Sequence, residues 1–144
     1  MHKDFYASGF LYHPPTEQIL LQQISSAPSM SAPWILIGGL YLQESKPEEL
    51  LKNVIYNLLA LKIDVVHPVY SYYNEIVDNN QYIGYAKVRS RQNFPSEKGL
   101  SFAWFSFKDV LKLQITKQTK HDIVVGQRVI EAAERKRQGL HTFQ

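Results

Sequence analysis

Apolar and polar residues along this 144-residue chain follow two periods, and each change of period marks an element. FYASGFLY, residues 5–12, mixes aromatic and small residues as a strand does, and His13-Pro14-Pro15 ends it because proline cannot continue a ladder. ILLQQI, residues 19–24, reads as a second strand, SSAPSMSAP as a loop, and WILIGG, residues 34–39, as a short buried strand closing on a glycine pair. The period then lengthens: Leu50, Leu51, Val54, Ile55, Leu58 and Leu61 recur at helical spacing and form a broad apolar stripe. Ser45 stands as the N-cap, Glu48 completes a capping box and Pro47 fits the first turn.

Residues 65–77 and 81–89 read as two strands joined through a turn at Asp78-Asn79-Asn80. RQNFPSEKGLS is a loop, FAWFSF (102–107) a strand, and DVLKL one or two helical turns. A last helix is expected from Thr119, with Asp122 in its first turn. Ile123, Val124, Val129, Ile130 and Ala133 lie on its apolar side, and Gly139 is its expected stop. Strands surround an early and a late helix, with neither repeat nor linker. The order suits one α/β domain over residues 1–144, a mixed sheet with helices on both faces.

The stretch Gly38–Ala60, GGLYLQESKPEELLKNVIYNLLA, resembles the signature box of the Nudix hydrolase family. That signature reads Gly, five residues, Glu, seven residues, then Arg-Glu-aliphatic-any-Glu-Glu-any-Gly-aliphatic. Gly38 and Glu44 keep its spacing, Lys52 falls at the Arg and Val54 at the aliphatic position. Asn53, Tyr56 and Asn57 stand where three Glu are expected, and Leu59 replaces the Gly. Trp34–Gly39 is similar to the family's Trp-any-any-Pro-Gly-Gly approach with Ile37 for Pro, and Ala103–Val110 to its late Trp-bearing strand and short helix. The resemblance implies an α/β/α sandwich over nearly the whole chain.

In the family, the box carboxylates hold Mg²⁺ against a diphosphate, and the metal neutralises phosphate charge and helps generate hydroxide. Positions 53, 56 and 57 share a helix face, and here that face offers two amides, a phenol and the neighbouring cation Lys52. The resemblance therefore implies a retained frame with a degenerate site. Such a site is expected to bind a nucleotide or nucleoside-diphosphate derivative with weak or no hydrolysis, and no metal is expected in the family manner. Glu44 and Glu97 are the candidate catalytic acids, and Glu49 is the acid left on the box face. An alternative is an active Mg²⁺-dependent pyrophosphohydrolase with a site rebuilt from Glu44, Glu49, Glu97 or Asp109; a regulatory or protein-interaction module is a third reading. Gly38 and Gly39 are candidates for backbone approach to a phosphate. Lys87 and Arg89, on one face of a strand end, are candidates for a phosphate contact. Among Phe5, Tyr6, Tyr12, Tyr70, Tyr72, Tyr73, Tyr82 and Tyr85, one or two rings are expected to face a ligand, the rest being ordinary strand aromatics.

Composition narrows the classes further. There is no cysteine, so disulfides, thiolate metal sites and a Cys nucleophile are excluded. None of the five His is paired at metal-ligand spacing, and neither a Gly-x-Ser-x-Gly elbow nor a P-loop appears. The net charge of +3 is mild and most of the surplus lies in ERKRQGLH, a solvated helix end; nucleic acid is not expected as a partner. No run is apolar enough to span a membrane and MHKDFYASGF lacks the features of a signal peptide, so a cytoplasmic location is expected. Nudix proteins are often dimers, and a homodimer stays open.

Overall fold

The computed structural model describes residues 5–25, 32–41, 46–76 and 78–142. These hold strands β1 (Phe5–His13), β2 (Gln18–Ile24), β3 (Trp34–Ile35), β4 (Ile37–Tyr41), β5 (His67–Asn74), β6 (Asn79–Lys87) and β7 (Leu100–Ser106). The helices are α1 (Pro47–Leu59), α2 (Phe107–Val110) and α3 (Lys117–Thr142).

β1 is the central strand. One edge runs parallel to β6, from Phe5 opposite Asn80 to Tyr12 opposite Lys87. The other edge is shared by two strands. Leu11 to His13 pair antiparallel with β2, whereas Phe5 to Gly9 pair antiparallel with β4. β2 thus diverges from β1 after a short hairpin, and β3, paired with Gln22 and Gln23 of β2, fills the fork with β4. The expected single strand 34–39 is two strands because the chain crosses at Leu36 from one wall of the fork to the other. β7 adds to the outer edge of β2 and β5 to that of β6, giving a mixed seven-stranded sheet.

Side-chain alternation divides the core in two. Ala7, Leu11, Tyr82 and Ala86 point to α1 and pack with its Leu50, Leu51, Ile55 and Leu59. Phe10, Tyr12, Ile83 and Tyr85 point the other way, to Ile123 and Ile130 of α3. Each fully buried aliphatic chain contributes about 2 kcal/mol of transfer free energy, so the apolar stripe of α1 is what holds that helix to the sheet. Helices cover both faces, as the resemblance implies. Among the described residues no helix is long and apolar enough to cross a membrane.

Several boundaries differ from expectation. Lys46, not Ser45, is the N-cap of α1, with no side-chain cap bond. Pro47 is the cause: it drives the residue before it to extended backbone (φ −76°, ψ 144°), which is the N-cap conformation. Ser45 and Glu44 lie outside the described residues. The β5–β6 turn spans 75–78 instead of 78–80, since Asn74 pairs with Asn79 and the Asn74 carboxamide accepts from the Ile76 amide at 2.9 Å. α3 starts before Thr119: the Thr116 hydroxyl accepts from the Thr119 amide at 3.1 Å and caps the helix. Asp122 consequently lies beyond the first turn. Gly139 does not end α3, which runs to Thr142; among the described glycines only Gly99 takes a left-handed φ, and a glycine that keeps helical angles costs only about 1 kcal/mol.

Candidate active site and ligand cleft

Positions 49, 52, 53, 56 and 57 lie on α1. Leu50, Leu51, Ile55 and Leu59 face the sheet, so Glu49, Asn53, Tyr56 and Asn57 are left on the exposed side of α1. Lys52 reaches back to Glu49, Nζ to Oε1 3.4 Å, and places a cation on the one acid of that face. The donor set does not suit Mg²⁺, a hard cation that favours anionic oxygens in octahedral array. Among the described residues no three His, Asp or Glu side chains gather as a metal site.

The other sequence candidates separate by position along the sheet. Tyr41 lies opposite Phe5, so α1 begins at the end where β1 and β6 start. Glu97 lies at this same end: it opens a tight turn, Lys98 and Gly99 both at positive φ, whose Leu100 amide donates to the Glu97 carbonyl at 2.9 Å. The Gly99 carbonyl accepts from Ser25 at the end of β2, which ties the turn down. Asp109 lies at the opposite end, since Ser106 of β7 pairs with Gln18 and Leu100 with Ile24; six strand steps, about 20 Å, part it from Glu97. Lys87 and Arg89 also lie at that far end, because their strand starts at the box end and finishes there. Lys87 pairs with Glu134 of α3 at 3.5 Å. Lys87 and Arg89 therefore stand apart from the box, at the other end of the sheet.

Gly38 and Gly39 are explained by packing. A Cβ on Gly38 would stand 2.5 Å from the Ser8 Cβ across the β1–β4 ladder, and one on Gly39 3.1 Å from Val54 of α1.

At the box end, on the α3 face, the sheet and α3 enclose a cleft of about 230 Å³. Its floor is the row of facing residues Tyr6, Gln81 and Tyr72 across β1, β6 and β5, with Ser8 and Asn74 beside it. Ile35 and Leu36, where the chain crosses the fork, close one side; Gln118, Thr119 and Asp122 of α3 close the other. Asp122 is only 4% exposed. Its Oδ1 accepts from the Tyr70 hydroxyl at 2.6 Å and from Gln118 Nε2 at 2.9 Å. Burial pushes the Asp122 carboxyl above the usual range, and the bonds from Tyr70 and Gln118 partly offset this. Burial also raises the Tyr72 phenol to about 12, with Asp122 adding to it, and raises Tyr6. The Tyr70 and Tyr72 rings lie 5.3 Å apart. Of the strand aromatics singled out from the sequence, Tyr6 and Tyr72 line this cleft, and Tyr70 supports it through Asp122. Asp122, Gln118 and Gln81 were not foreseen as site residues, since only the register and the packing of α3 bring them together.

A sheet forked at β1 and flanked by α1 and α3 has close counterparts among solved structures. MutT, from a study of the enzymes of Aliivibrio salmonicida and Vibrio cholerae, superposes with a TM-score of 0.65 at 12% identity, over 88% of this chain and 96% of that one. The NUDIX domain of Shewanella oneidensis NrtR, solved with ADP ribose, gives 0.69 at 14% identity over 90% of each. A mutT/nudix family protein from Listeria innocua gives 0.68 at 12% identity over 94% and 97%. The chain has the Nudix fold. No protein-family model and no curated protein matches the sequence, so the likeness lies in the backbone.

Proposed function

We propose that this Nudix-fold protein binds a nucleotide or nucleoside-diphosphate derivative without appreciable hydrolysis. One contrast carries the reading: the cleft at the box end of the sheet is built and polar, while the box face offers Asn53, Tyr56 and Asn57 where metal-holding acids would stand. About 230 Å³ is below the 300–1,000 Å³ or so of sites that enclose a whole ligand; it suits a base, with the sugar and phosphates outside toward the start of α1. Tyr6 and Tyr72 offer rings to stack on, and Asp122 and Gln81 offer polar atoms to a base edge. The ADP ribose bound by the NrtR domain makes that compound the first ligand to try. Nothing in the reading requires a metal, and a cytoplasmic nucleotide pool is a suitable setting.

Calorimetry with ADP-ribose, in EDTA and then in Mg²⁺ or Mn²⁺, tests it. Binding of equal strength in both, with the ligand recovered intact, is the expected result. Turnover in the presence of metal that falls on Glu97→Gln would favour a rearranged hydrolase, and no binding in either condition would favour the interaction module.

A further inference from the structure

A second cavity, about 330 Å³, lies at the end of the sheet away from the box and on the α1 face. It exists because α1 is too short to cover the sheet. The helix stops at Leu59 with Ala60 in the left-handed conformation, and the row Trp104, Leu20, Leu11 and Ala86 continues past it across β7, β2, β1 and β6. The connections around Ile63 and Phe94 form walls over this row without filling the space. Ile63, Phe94 and Trp104 consequently belong to the α1-side core yet remain only partly buried. The indole Nε1 of Trp104 donates to the Gln92 carbonyl at 2.9 Å, so the ring presents only carbon to the cavity.

The rim is basic. Lys62, Lys87 and Arg89 stand there with Asp64. Lys87 pairs at 3.5 Å with Glu134, a carboxylate that Arg137 shares at 2.6 Å. Among the described residues Lys62 and Arg89 take part in no salt bridge. Two cations against one carboxylate leave a surplus of one positive charge above a concave aromatic floor. Burial and Lys87 lower the His67 imidazole, so it is neutral at pH 7 and adds no charge.

We propose that this cavity is a second ligand site, separate from the cleft, for a flat aromatic monoanion such as an aryl carboxylate or sulfonate. The aromatic body lies on Leu11, Trp104 and Phe94, and the anion meets Lys62 and Arg89. The volume falls within the range of small-molecule sites, and the charge surplus matches one negative group instead of a diphosphate.

Two tryptophans make the test direct, because Trp34 packs on the α3-side core. The full chain, labelled with ¹⁵N, is titrated with naphthalene-2-sulfonate, and the two indole N–H signals are assigned with Trp34→Phe. The expected result is a saturable shift of Trp104 with Trp34 unmoved, unchanged by saturating ADP-ribose. The neutral 2-naphthol is expected to bind more weakly, and Lys62→Gln and Arg89→Gln to weaken the sulfonate about fivefold each without affecting 2-naphthol. An unmoved Trp104, equal shifts of both indoles, or competition by ADP-ribose would overturn the second site. Equal affinity for 2-naphthol, or indifference to both rim substitutions, would overturn its preference for an anion. Failure of ADP-ribose to bind at all bears on the cleft alone.

Discussion

Tyr70 and Asp122 join β5 to α3 through a 2.6 Å hydrogen bond in which the phenol donates and the buried carboxylate accepts. Asp122→Ala leaves the Tyr70 hydroxyl and the Gln118 amide without their acceptor and is expected to cost about 1–3 kcal/mol in urea unfolding. The pH dependence has a definite sign. Burial raises the Asp122 carboxyl above its unfolded value, so the folded state holds the proton more tightly. That contribution is full below the ordinary carboxylate range and is lost as pH rises through the folded value. Asp122→Asn is therefore expected to flatten the fall of stability as pH rises above the ordinary carboxylate range. A slope identical to that of the parent chain would show that Asp122 does not titrate in this window.

The Tyr82 hydroxyl is buried on the α1 side and has no hydrogen-bond partner among the described residues. Removing an unsatisfied buried group at constant shape is expected to stabilise, so Tyr82→Phe should gain about 1 kcal/mol at pH 7. Burial, with Glu48 adding to it, pushes this phenol up to about 12. The folded state then favours the neutral phenol, and stability falls as pH rises from the ordinary phenol value toward 12. The substitution removes one component of that alkaline loss, and Tyr72, also near 12, supplies another. Urea midpoints at pH 7 and pH 10.5 check both points; destabilisation at pH 7 would mean that the hydroxyl has a partner.

What was legible in the sequence was what is local. The stripe from Leu50 to Leu58 gave α1, because burial on one face writes itself at helical spacing. The fork was hidden, because WILIGG reads as one strand and only the pairing of Trp34 and Ile35 with β2, and of Ile37 onward with β1, breaks it at Leu36. The start of α3 was obscured by the polar run Lys117–His121, which carries no stripe, although Thr116 three residues before Thr119 was a capping signal open to view. The cleft was illegible for a stronger reason. Tyr70 and Asp122 stand 52 residues apart, and no local pattern relates them. Lys87 and Arg89 show the same limit: spacing gives a shared face, while the end of the sheet depends on strand direction.

The glycine pair offers a test of packing against ligand approach. Gly38→Ala would set a Cβ 2.5 Å from the Ser8 Cβ and 2.7 Å from the Ala7 carbonyl oxygen, and is expected to cost about 2 kcal/mol or more. Gly39→Ala meets only the end of Val54 at 3.1 Å and should cost less than about 1 kcal/mol. Thermal unfolding ranks the two. If Gly39→Ala leaves stability intact yet abolishes ADP-ribose binding, the Gly39 backbone contacts the ligand.

The box can be restored. Asn53, Tyr56 and Asn57 are exposed, so Asn53→Glu, Tyr56→Glu and Asn57→Glu with Lys52→Arg introduce no overpacking, and folding stability should change by about 1 kcal/mol or less. Three carboxylates at helical spacing would repel one another until a divalent cation joins them. Mn²⁺ is thus expected to bind the restored chain measurably in calorimetry and to raise its Tm, while the parent chain shows neither effect. Arginine at position 52 matters because its planar fork can hold a carboxylate bidentately, as a lysine cannot. If the restored chain folds and binds Mn²⁺, then hydrolysis of ADP-ribose by it, absent in the parent, would mean that the three substitutions alone silence the site. If it folds and binds no divalent ion, positions 53, 56 and 57 are not the metal-holding positions of this box.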